Sequence, residues 1–310
     1  MKLRMEFFRY KEGLLLGRGM LIVKITDGLG NQLFQYAFAK SLQIKYGKKV
    51  YLDASDINRE GELGDEAIKS FMGKCDKREY KLDKYCISLQ EADENDIKNF
   101  SKIRKSDFFR YCELLKILKY QIICEKDIPL KDLKIWRYQN VYFKGFYFDK
   151  KYYIDNLEII KNDLKLKNDV VLDKKLSKIL KEKETIGIHV RRGDFLRVGR
   201  ATCSAQYYKK AFEIISKEVK NPYVVVISDD IEWVRTNIKL DVQMEFVSGK
   251  GYQDFEELFI YSCCKHNIIA NSTFSYWGAV LNPNEKKIVV APKHWRDNVL
   301  FDDWVQIENL

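Results

Sequence analysis

The sequence has few of the residues that build metal centres and disulfide frameworks. Its 310 residues include three His and seven Cys. The number of cysteines is odd, and no two of them are spaced as Cys-x-x-Cys. Zinc sites and disulfide scaffolds need clusters of these residues at short spacings. The sequence therefore predicts no metal centre and no disulfide framework, and its cysteines are typical of a reducing cytosol.

The chain also lacks an apolar segment long enough to cross a membrane. The apolar residues 14–16 and 21–25 are separated by Gly17, Arg18 and Gly19, and a span needs about 20 mostly apolar residues. The same interruption argues against a signal peptide. We expect residues 1–19 to be a poorly ordered leader, a natural start near Met20, and a cytoplasmic protein.

No dense basic block accompanies the net charge of +10. Such a charge suits an anionic partner, either nucleotide phosphates, nucleic acid or an acidic membrane surface. The excess lysines are scattered through residues 40–183, which is more typical of solubility than of a nucleic-acid footprint. We therefore expect no nucleic-acid partner. A non-enzymatic binder of RNA or anionic surfaces stays as the alternative from a different class.

The first readable unit is a strand, a loop with two glycines, a helix and a second strand. Apolar residues 21–25 are followed by Gly28-Leu29-Gly30-Asn31-Gln32, and helical spacing continues to about Lys45. The loop is not a dinucleotide fingerprint, because Leu33 stands in place of the third glycine, and it lacks the Gly-Lys-Ser/Thr of a Walker loop. A tight turn explains the glycines alone, but the two amides at the helix start could reach a ligand.

Residues 54–150 are charged, aromatic and weakly periodic. Residues 91–100 and 113–120 are predicted to be helical, and residues 141–148 form an aromatic strand-like run. Such a run is core more often than carbohydrate platform, and both interpretations stay open. Residues 152–183 are predicted to be a Lys-rich helical bridge between two domains.

From residue 185 the pattern becomes regular. Predicted strands at 185–190, 223–227, 244–247, 267–270 and 288–291 alternate with helices. This alternation indicates a parallel sheet with helices on both faces. The second half is therefore predicted to be an α/β domain.

Polar side chains follow three of these strands. They are His189, Arg191, Arg192 and Asp194 after the first strand, Asp229 and Asp230 after the second, and Asn271 to Ser275 after the fourth. The carboxyl ends of parallel strands share one edge of a sheet, where ligands bind. Two guanidiniums and a helix N-terminus carrying Ser272 and Thr273 suit a diphosphate. Two alternatives stay open: Asp229 and Asp230 could hold a divalent ion, and residues 271–275 could simply cap a helix.

Four segments together resemble the α-1,2-fucosyltransferases of glycosyltransferase family 11. They are GLGNQLFQYAFAKSL at 28–42, IHVRRGD at 188–194, SDD at 228–230 and NSTFSYWGAVLN at 271–282. The resemblance spans about residues 20–295, in the family's order. Tyr276 departs from it, since the family often has Trp there. The chain resembles the soluble bacterial members, because it shows no membrane anchor.

The resemblance implies an α/β GT-B-like fold with two Rossmann-like domains facing a cleft. Residues 20–150 would be the acceptor-side domain, 151–295 the GDP-fucose-binding domain and 296–310 a C-terminal tail. It implies inverting, metal-independent transfer of fucose from GDP-β-L-fucose to the 2-hydroxyl of a terminal β-galactoside, without a cofactor. A peripheral contact with the inner membrane would follow from a lipid-linked acceptor. A transferase of the same architecture that uses another nucleotide sugar is the alternative.

The resemblance also implies roles for single residues. Arg191 would grip the diphosphate with Arg192 nearby, and His189 would hydrogen-bond the diphosphate or fucose. The other expected donor contacts are Gly30 and Asn31 from the first domain, Asp229 or Asp230 on guanosine, and Ser272, Thr273 and Phe274 on phosphate and nucleoside. For a catalytic base, Asp194 is the first candidate on proximity and His189 the second. Proton transfer to a phosphate oxygen without a side-chain base is the third option.

Overall fold

The computed structural model describes residues 19–57, 78–101, 120–125, 140–296 and 298–309. The predicted leader, apart from Gly19, and most of the predicted helix 113–120 lie outside these residues. The chain divides into two compact units. Of the described residues, unit 1 contains 19–57, 85–101, 120–125 and 140–165, and unit 2 contains 78–84 and 166–309 without residue 297.

Unit 1 is built on a five-stranded parallel sheet in the order β3-β2-β1-β5-β4. Its strands are β1 (Met20–Lys24), β2 (Lys49–Asp53), β3 (Gln90–Glu91), β4 (Tyr120–Cys124) and β5 (Asn140–Lys144). Its helices are α1 (Leu29–Tyr46), α2 (Glu94–Ser101) and α3 (Leu157–Asp163), with 3₁₀ turns at Lys150–Tyr152 and Ile154–Asn156. Gly47 ends α1 with φ +60, which glycine adopts without strain. The predicted strand–loop–helix–strand at the N-terminus is confirmed.

Helix α1 and the aromatic run after β5 form much of the core of unit 1. The ring of Phe38 stacks on Tyr147 at 3.7 Å and meets Phe143 edge-on at 5.4 Å. Phe143 and Tyr147 are buried. Two of the predicted aromatic-run residues are therefore core. Phe146, on the same run, is exposed and stacks on Phe148 at 5.1 Å.

Unit 2 is built on a six-stranded parallel sheet in the order β11-β10-β9-β6-β7-β8. Its strands are β6 (Glu184–Val190), β7 (Pro222–Ser228), β8 (Met244–Phe246), β9 (His266–Ile268), β10 (Val289–Pro292) and β11 (Val305–Ile307). Its helices are α4 (Lys174–Glu182), α5 (Gly193–Arg197), α6 (Ala205–Ser216), α7 (Ile231–Asn237), α8 (Asp254–Ser262) and α9 (Thr273–Leu281), with a 3₁₀ turn at Leu82–Lys84. The predicted regular α/β half is confirmed.

Helices cover both faces of this second sheet. Ile186 and Ile188 of β6 pack in the core with Tyr208 of α6. Gly187 points to the opposite face, because side chains alternate along a strand. A β-carbon on Gly187 would lie 2.9 Å from the ring of Tyr261, so glycine allows α8 to approach the sheet closely.

The units divide the chain at residue 165, whereas the sequence placed the boundary at 150. The reason is that residues 150–163 pack on α1. The ring of Tyr152 lies 5.7 Å from Phe38, and Lys40 Nζ lies 3.1 Å from Asp163 Oδ2. The expected tail 296–310 likewise contains β11, which pairs with β10 and completes the sheet of unit 2.

Candidate functional site

The polar strand ends of unit 2 flank the point where the strand order reverses. Numbered within the unit, the strands lie in the order 3-2-1-4-5-6, with β6 first and β9 fourth. This is the Rossmann order, and ligands of such sheets bind between the first and fourth strands, at their carboxyl ends. His189 lies at the end of β6 and Arg191 to Asp194 follow it, and Asn271 to Phe274 follow β9. The structure therefore brings two of the three predicted clusters to the expected binding crevice, with the third on the neighbouring strand β7.

His189 and Phe274 join these two strand ends. Their rings stack with centroids 4.9 Å apart. Burial, reinforced by the nearby charge of Arg191, lowers the pKa of His189 to about 3. Among the described residues, the buried Nδ1 of His189 has no hydrogen-bond partner. His189 is therefore a neutral imidazole at physiological pH, with one ring nitrogen that is buried and unsatisfied.

Arg191 is held between two carboxylates. Its Nη2 lies 2.5 Å from Oδ1 of Asp194, and its Nη1 lies 2.9 Å from Oδ2 of Asp229. The other oxygen of Asp194 lies 2.6 Å from Nη2 of Arg78. Asp194 is only 4% exposed, so both of its oxygens are engaged by guanidinium groups inside the protein.

Arg192 is fixed by the two aspartates that follow β7. Its backbone N–H donates to Oδ1 of Asp229 at 2.8 Å, and its Nε donates to Oδ2 of Asp230 at 3.2 Å. Its guanidinium lies 3.9 Å from the ring centroid of Trp233. Asp230 also caps α7 by accepting from the backbone N–H of Trp233 at 3.1 Å. Both aspartates therefore position arginines in this structure, and their predicted contact with guanosine stays a prediction.

The start of α9 lies at the other side of the crevice. Ser272 is the residue before the first turn, is 6% exposed and makes no side-chain hydrogen bond to the helix N-terminus. The hydroxyl of Ser275 instead contacts the backbone of Ala270 at 3.1 Å. Asn271 donates to the carbonyl of Ala201 at 2.7 Å. The capping alternative thus does not describe Ser272, and the amides at the start of α9 suit an anion.

Gly30 and Asn31 belong to unit 1. Gly30 is buried in the first turn of α1, and the side-chain N–H of Asn31 donates to Asp27 Oδ2 at 2.7 Å. Asp27 has φ +69, a left-handed conformation that Asp tolerates better than most residues. Asp27 thus shapes the glycine loop locally, and the donor contacts of Gly30 and Asn31 stay predictions.

Two residues of this region were missed by sequence reasoning. Arg78 lies 116 positions before its partner Asp194, and no local pattern marks it. Glu257 is one of three acidic residues in the first turn of α8. Burial raises its pKa to about 7, helped by the charges of Asp254 and Asp229 and opposed by a hydrogen bond with Ser248. An acidic first turn was visible in the sequence, but the burial that singles out Glu257 was not.

Within the described ranges, no three His, Cys, Asp or Glu residues are arranged as metal ligands. Asp229 and Asp230 are engaged by arginines, as described above. In the same ranges, no helix combines the length and the apolar character needed to cross a bilayer.

Two curated bacterial proteins are similar to this chain over most of its length. The O-antigen biosynthesis glycosyltransferase WbnK of Escherichia coli is 27% identical over 311 residues, covering 91% of this chain and 99% of the relative. An alpha-1,2-colitosyltransferase of Escherichia coli is 25% identical over 309 residues, covering 93% and 99%.

A structure of a mutant of Arabidopsis thaliana FUT1 in complex with GDP resembles this one in fold. The TM-score is 0.51 at 13% sequence identity, with 88% of this chain and 70% of that chain covered. The predicted GT-B-like α/β class, with a parallel sheet in each of two units, is confirmed. The family model described as "Glycosyl transferase family 11" matches residues 20–307. The chain therefore belongs to glycosyltransferase family 11.

Proposed function

We propose that this protein is an inverting, metal-independent α-1,2-fucosyltransferase. It moves L-fucose from GDP-β-L-fucose to the 2-hydroxyl of a terminal β-galactoside. The observation that carries the proposal is the pair of guanidiniums, Arg191 and Arg192, held by carboxylates directly after β6, the strand that pairs with β9. Preformed donors of this kind fit the diphosphate of a sugar nucleotide.

The fixed arginines suit the chemistry of the leaving group. As the bond between fucose and the diphosphate breaks, negative charge develops on the β-phosphate. Donors that are already oriented stabilise that charge without reorganising, and therefore stabilise the transition state more than the ground state. Two carboxylates hold Arg191, so we assign it the main contact with the β-phosphate. Arg192 and the N-terminal amides of α9 complete the anion site.

The geometry favours an anchoring role for Asp194 over that of general base. Both oxygens of Asp194 are engaged by Arg78 and Arg191, and the residue is 4% exposed, so its carboxylate has little surface left for a substrate. His189, with a pKa of about 3, is too weakly basic to remove a proton from a hydroxyl efficiently. Its Nδ1 suits a hydrogen bond from a fucose hydroxyl. An attack on an oxocarbenium-like sugar does not need a strong base, since the hydroxyl becomes acidic as the new bond forms. We propose that its proton then passes to a phosphate oxygen of the departing GDP.

A second donor needs a direct test, because a full-length relative is an α-1,2-colitosyltransferase. Colitose is fucose without its 3-hydroxyl, so the arginine cluster would serve either donor. A site that hydrogen-bonds the 3-hydroxyl would reject the colitosyl donor strongly, whereas an apolar site would discriminate weakly. We propose fucose as the transferred sugar because four segments of the sequence resemble fucosyltransferases.

The natural acceptor is proposed to be a galactoside within a surface polysaccharide, since the relative WbnK is described as an O-antigen biosynthesis enzyme. Such an acceptor is built on a lipid carrier, so we propose a cytoplasmic location with peripheral contact at the inner face of the membrane.

The test is GDP release from GDP-fucose and from GDP-colitose, each with and without lactose, in EDTA. We expect lactose-dependent release from GDP-fucose and a product with an α-1,2 linkage by NMR. Release from GDP-colitose alone would replace the donor and keep the reaction. A failure of both donors with several β-galactosides would contradict the proposed function.

A further inference from the structure

Arg78 completes a chain of ion pairs whose other members all follow β6 or β7. It lies in the described segment 78–84, which belongs to unit 2, whereas the chain from Tyr85 to Lys165 belongs to unit 1. Lys81 anchors this segment to the start of α8, with Nζ 3.5 Å from Gln253 Oε1 and 3.9 Å from Asp254 Oδ1. The guanidinium of Arg78 reaches Asp194 at 2.6 Å. The segment therefore places the guanidinium of Arg78 against Asp194 of the candidate donor site.

The position of Arg191 depends on Asp194, and Asp194 is shared. One carboxylate oxygen pairs with Arg191 and the other with Arg78. A carboxylate gripped from both sides cannot rotate without breaking one pair. Because Asp194 is 4% exposed, water does not readily replace a lost partner. Arg78 thus influences the orientation of the Arg191 guanidinium through Asp194, although Arg78 lies outside the strand-end segments.

Stability alone does not account for this arrangement. Buried ion pairs can often be replaced by apolar residues without loss of stability, because the charges must be desolvated. An Arg–Asp–Arg set is therefore weak evidence for a stabilising role. It does provide a fixed direction for a guanidinium, which is what the binding of a diphosphate requires.

The net charge of the cluster of arginines and aspartates also supports a role for Arg78 in donor binding. The connected cluster contains three arginines and three aspartates, namely Arg78, Arg191, Arg192, Asp194, Asp229 and Asp230. Without Arg78, two guanidiniums would face three carboxylates, and the cluster would carry a net charge of −1 before any ligand arrived. Such a cluster would repel a diphosphate.

We propose that Arg78 is a positioning residue of the donor site, which through Asp194 holds Arg191 in the orientation that binds the diphosphate of the sugar nucleotide. This inference rests on the proposed function. Arg78 also balances the charge of Asp194, so that the cluster is not anionic when the donor approaches. Its effect on turnover passes through Arg191.

The first test compares GDP affinity, kcat and KM for the wild type, Arg78→Met and Arg78→Lys, with circular dichroism to verify folding. Arg235→Gln is the matched control, because Arg235 is an ion-paired arginine on α7 of the same unit, outside the cluster. We expect Arg78→Met to weaken GDP binding and to lower kcat by up to about 100-fold, the loss that small misplacements at reacting centres cause. Arg78→Lys keeps the charge but loses the fork, so it should recover part of the loss. Arg235→Gln should match the wild type.

A double-mutant cycle with Asp194→Asn tests the route of the effect. If Arg78 acts through Asp194, its replacement should cost little once Asp194 is neutral, so the two losses in GDP affinity should not add. Additive losses would overturn the proposed route. Wild-type affinity and kcat in Arg78→Met, or in Arg78→Lys where the Met variant does not fold, would overturn the inference. If the wild type itself does not bind GDP, the proposed function fails as well, and the two failures are distinguished.

Discussion

Gly193 lies against the carboxylate of Asp229. A β-carbon added to Gly193 would come within 2.8 Å of Asp229 Oδ2 and 3.1 Å of its carboxyl carbon. The same carboxylate accepts from the backbone of Arg192 and pairs with Arg191. The glycine is therefore part of the geometry of the arginine cluster, because it leaves room for the carboxylate that holds the guanidinium of Arg191 and the backbone of Arg192.

Gly193→Ala should displace Asp229 and loosen both arginines. We expect weaker GDP binding, together with a loss of about 1–3 kcal/mol in the free energy of unfolding, the usual range for overpacking. The measurement is GDP titration alongside urea unfolding. Unchanged GDP affinity in a folded Gly193→Ala protein would mean that the position of Asp229 does not matter for the donor.

His189 should make the protein sensitive to acid. Burial and the charge of Arg191 lower its folded pKa to about 3, below the unfolded value of about 6.5. The unfolded state therefore binds more protons between these values, and stability falls as the pH drops below 6.5. At pH 5 the loss from this residue is about 2 kcal/mol.

Urea unfolding of the wild type and His189→Asn at pH 7 and pH 5 checks this. The variant should lose less stability than the wild type over that interval, whatever its stability at pH 7. An equal loss in both proteins would show that His189 is not buried as a neutral group.

Glu257 should make the protein less stable as the pH rises, which is the opposite of the effect of His189. Burial raises its folded pKa to about 7, above its ordinary value of about 4.3. The folded state therefore holds the extra proton, and the stability present below pH 4.5 is lost as the pH rises towards 7. We compare the free energy of unfolding of Glu257→Gln with that of the wild type. The difference, variant minus wild type, should be about 1–3 kcal/mol larger at pH 8 than at pH 5.

The control for Glu257→Gln is Glu232→Gln, because the side chain of Glu232 is 88% exposed. The comparison is the difference in unfolding free energy between pH 8 and pH 5 for each protein. A Glu257→Gln variant with the same pH difference as the wild type would contradict a raised pKa for the partly buried carboxyl of Glu257.

Metal removal should leave the reaction intact. Arg191 and Arg192 already supply positive charge, and they engage the carboxylates of Asp229 and Asp230. We expect turnover in EDTA to equal turnover with added Mg²⁺ or Mn²⁺. A loss in EDTA that either ion restores would make Asp229 and Asp230 metal ligands instead of arginine anchors.

The alternating elements of unit 2 could be predicted because each strand is a short apolar run closed by polar residues. Strands β6 and β7 were expected at 185–190 and 223–227, and the structure has them at 184–190 and 222–228. Strand β11 was not predicted, since its three residues have no readable period and form a strand only by pairing with β10.

The residues at the strand ends could be predicted as a group, but their partners could not. Arg191 and Arg192 stand out in the sequence because two charges follow an apolar strand. Nothing local shows that Asp229 would hold Arg191, or that Arg78 would reach Asp194 from 116 positions away. Such contacts depend on chain topology, and they shift the interpretation of Asp194 from general base to anchor.

The central claim is that Arg191 binds the diphosphate of a nucleotide donor. The most direct measurement is calorimetric titration of GDP into the wild type, Arg191→Ala and the control Arg235→Gln. We predict binding by the wild type and the control, and a loss in Arg191→Ala of about 100-fold or more, together with a similar loss in kcat. Equal GDP affinity in all three folded proteins, or no GDP binding by the wild type, would contradict the account.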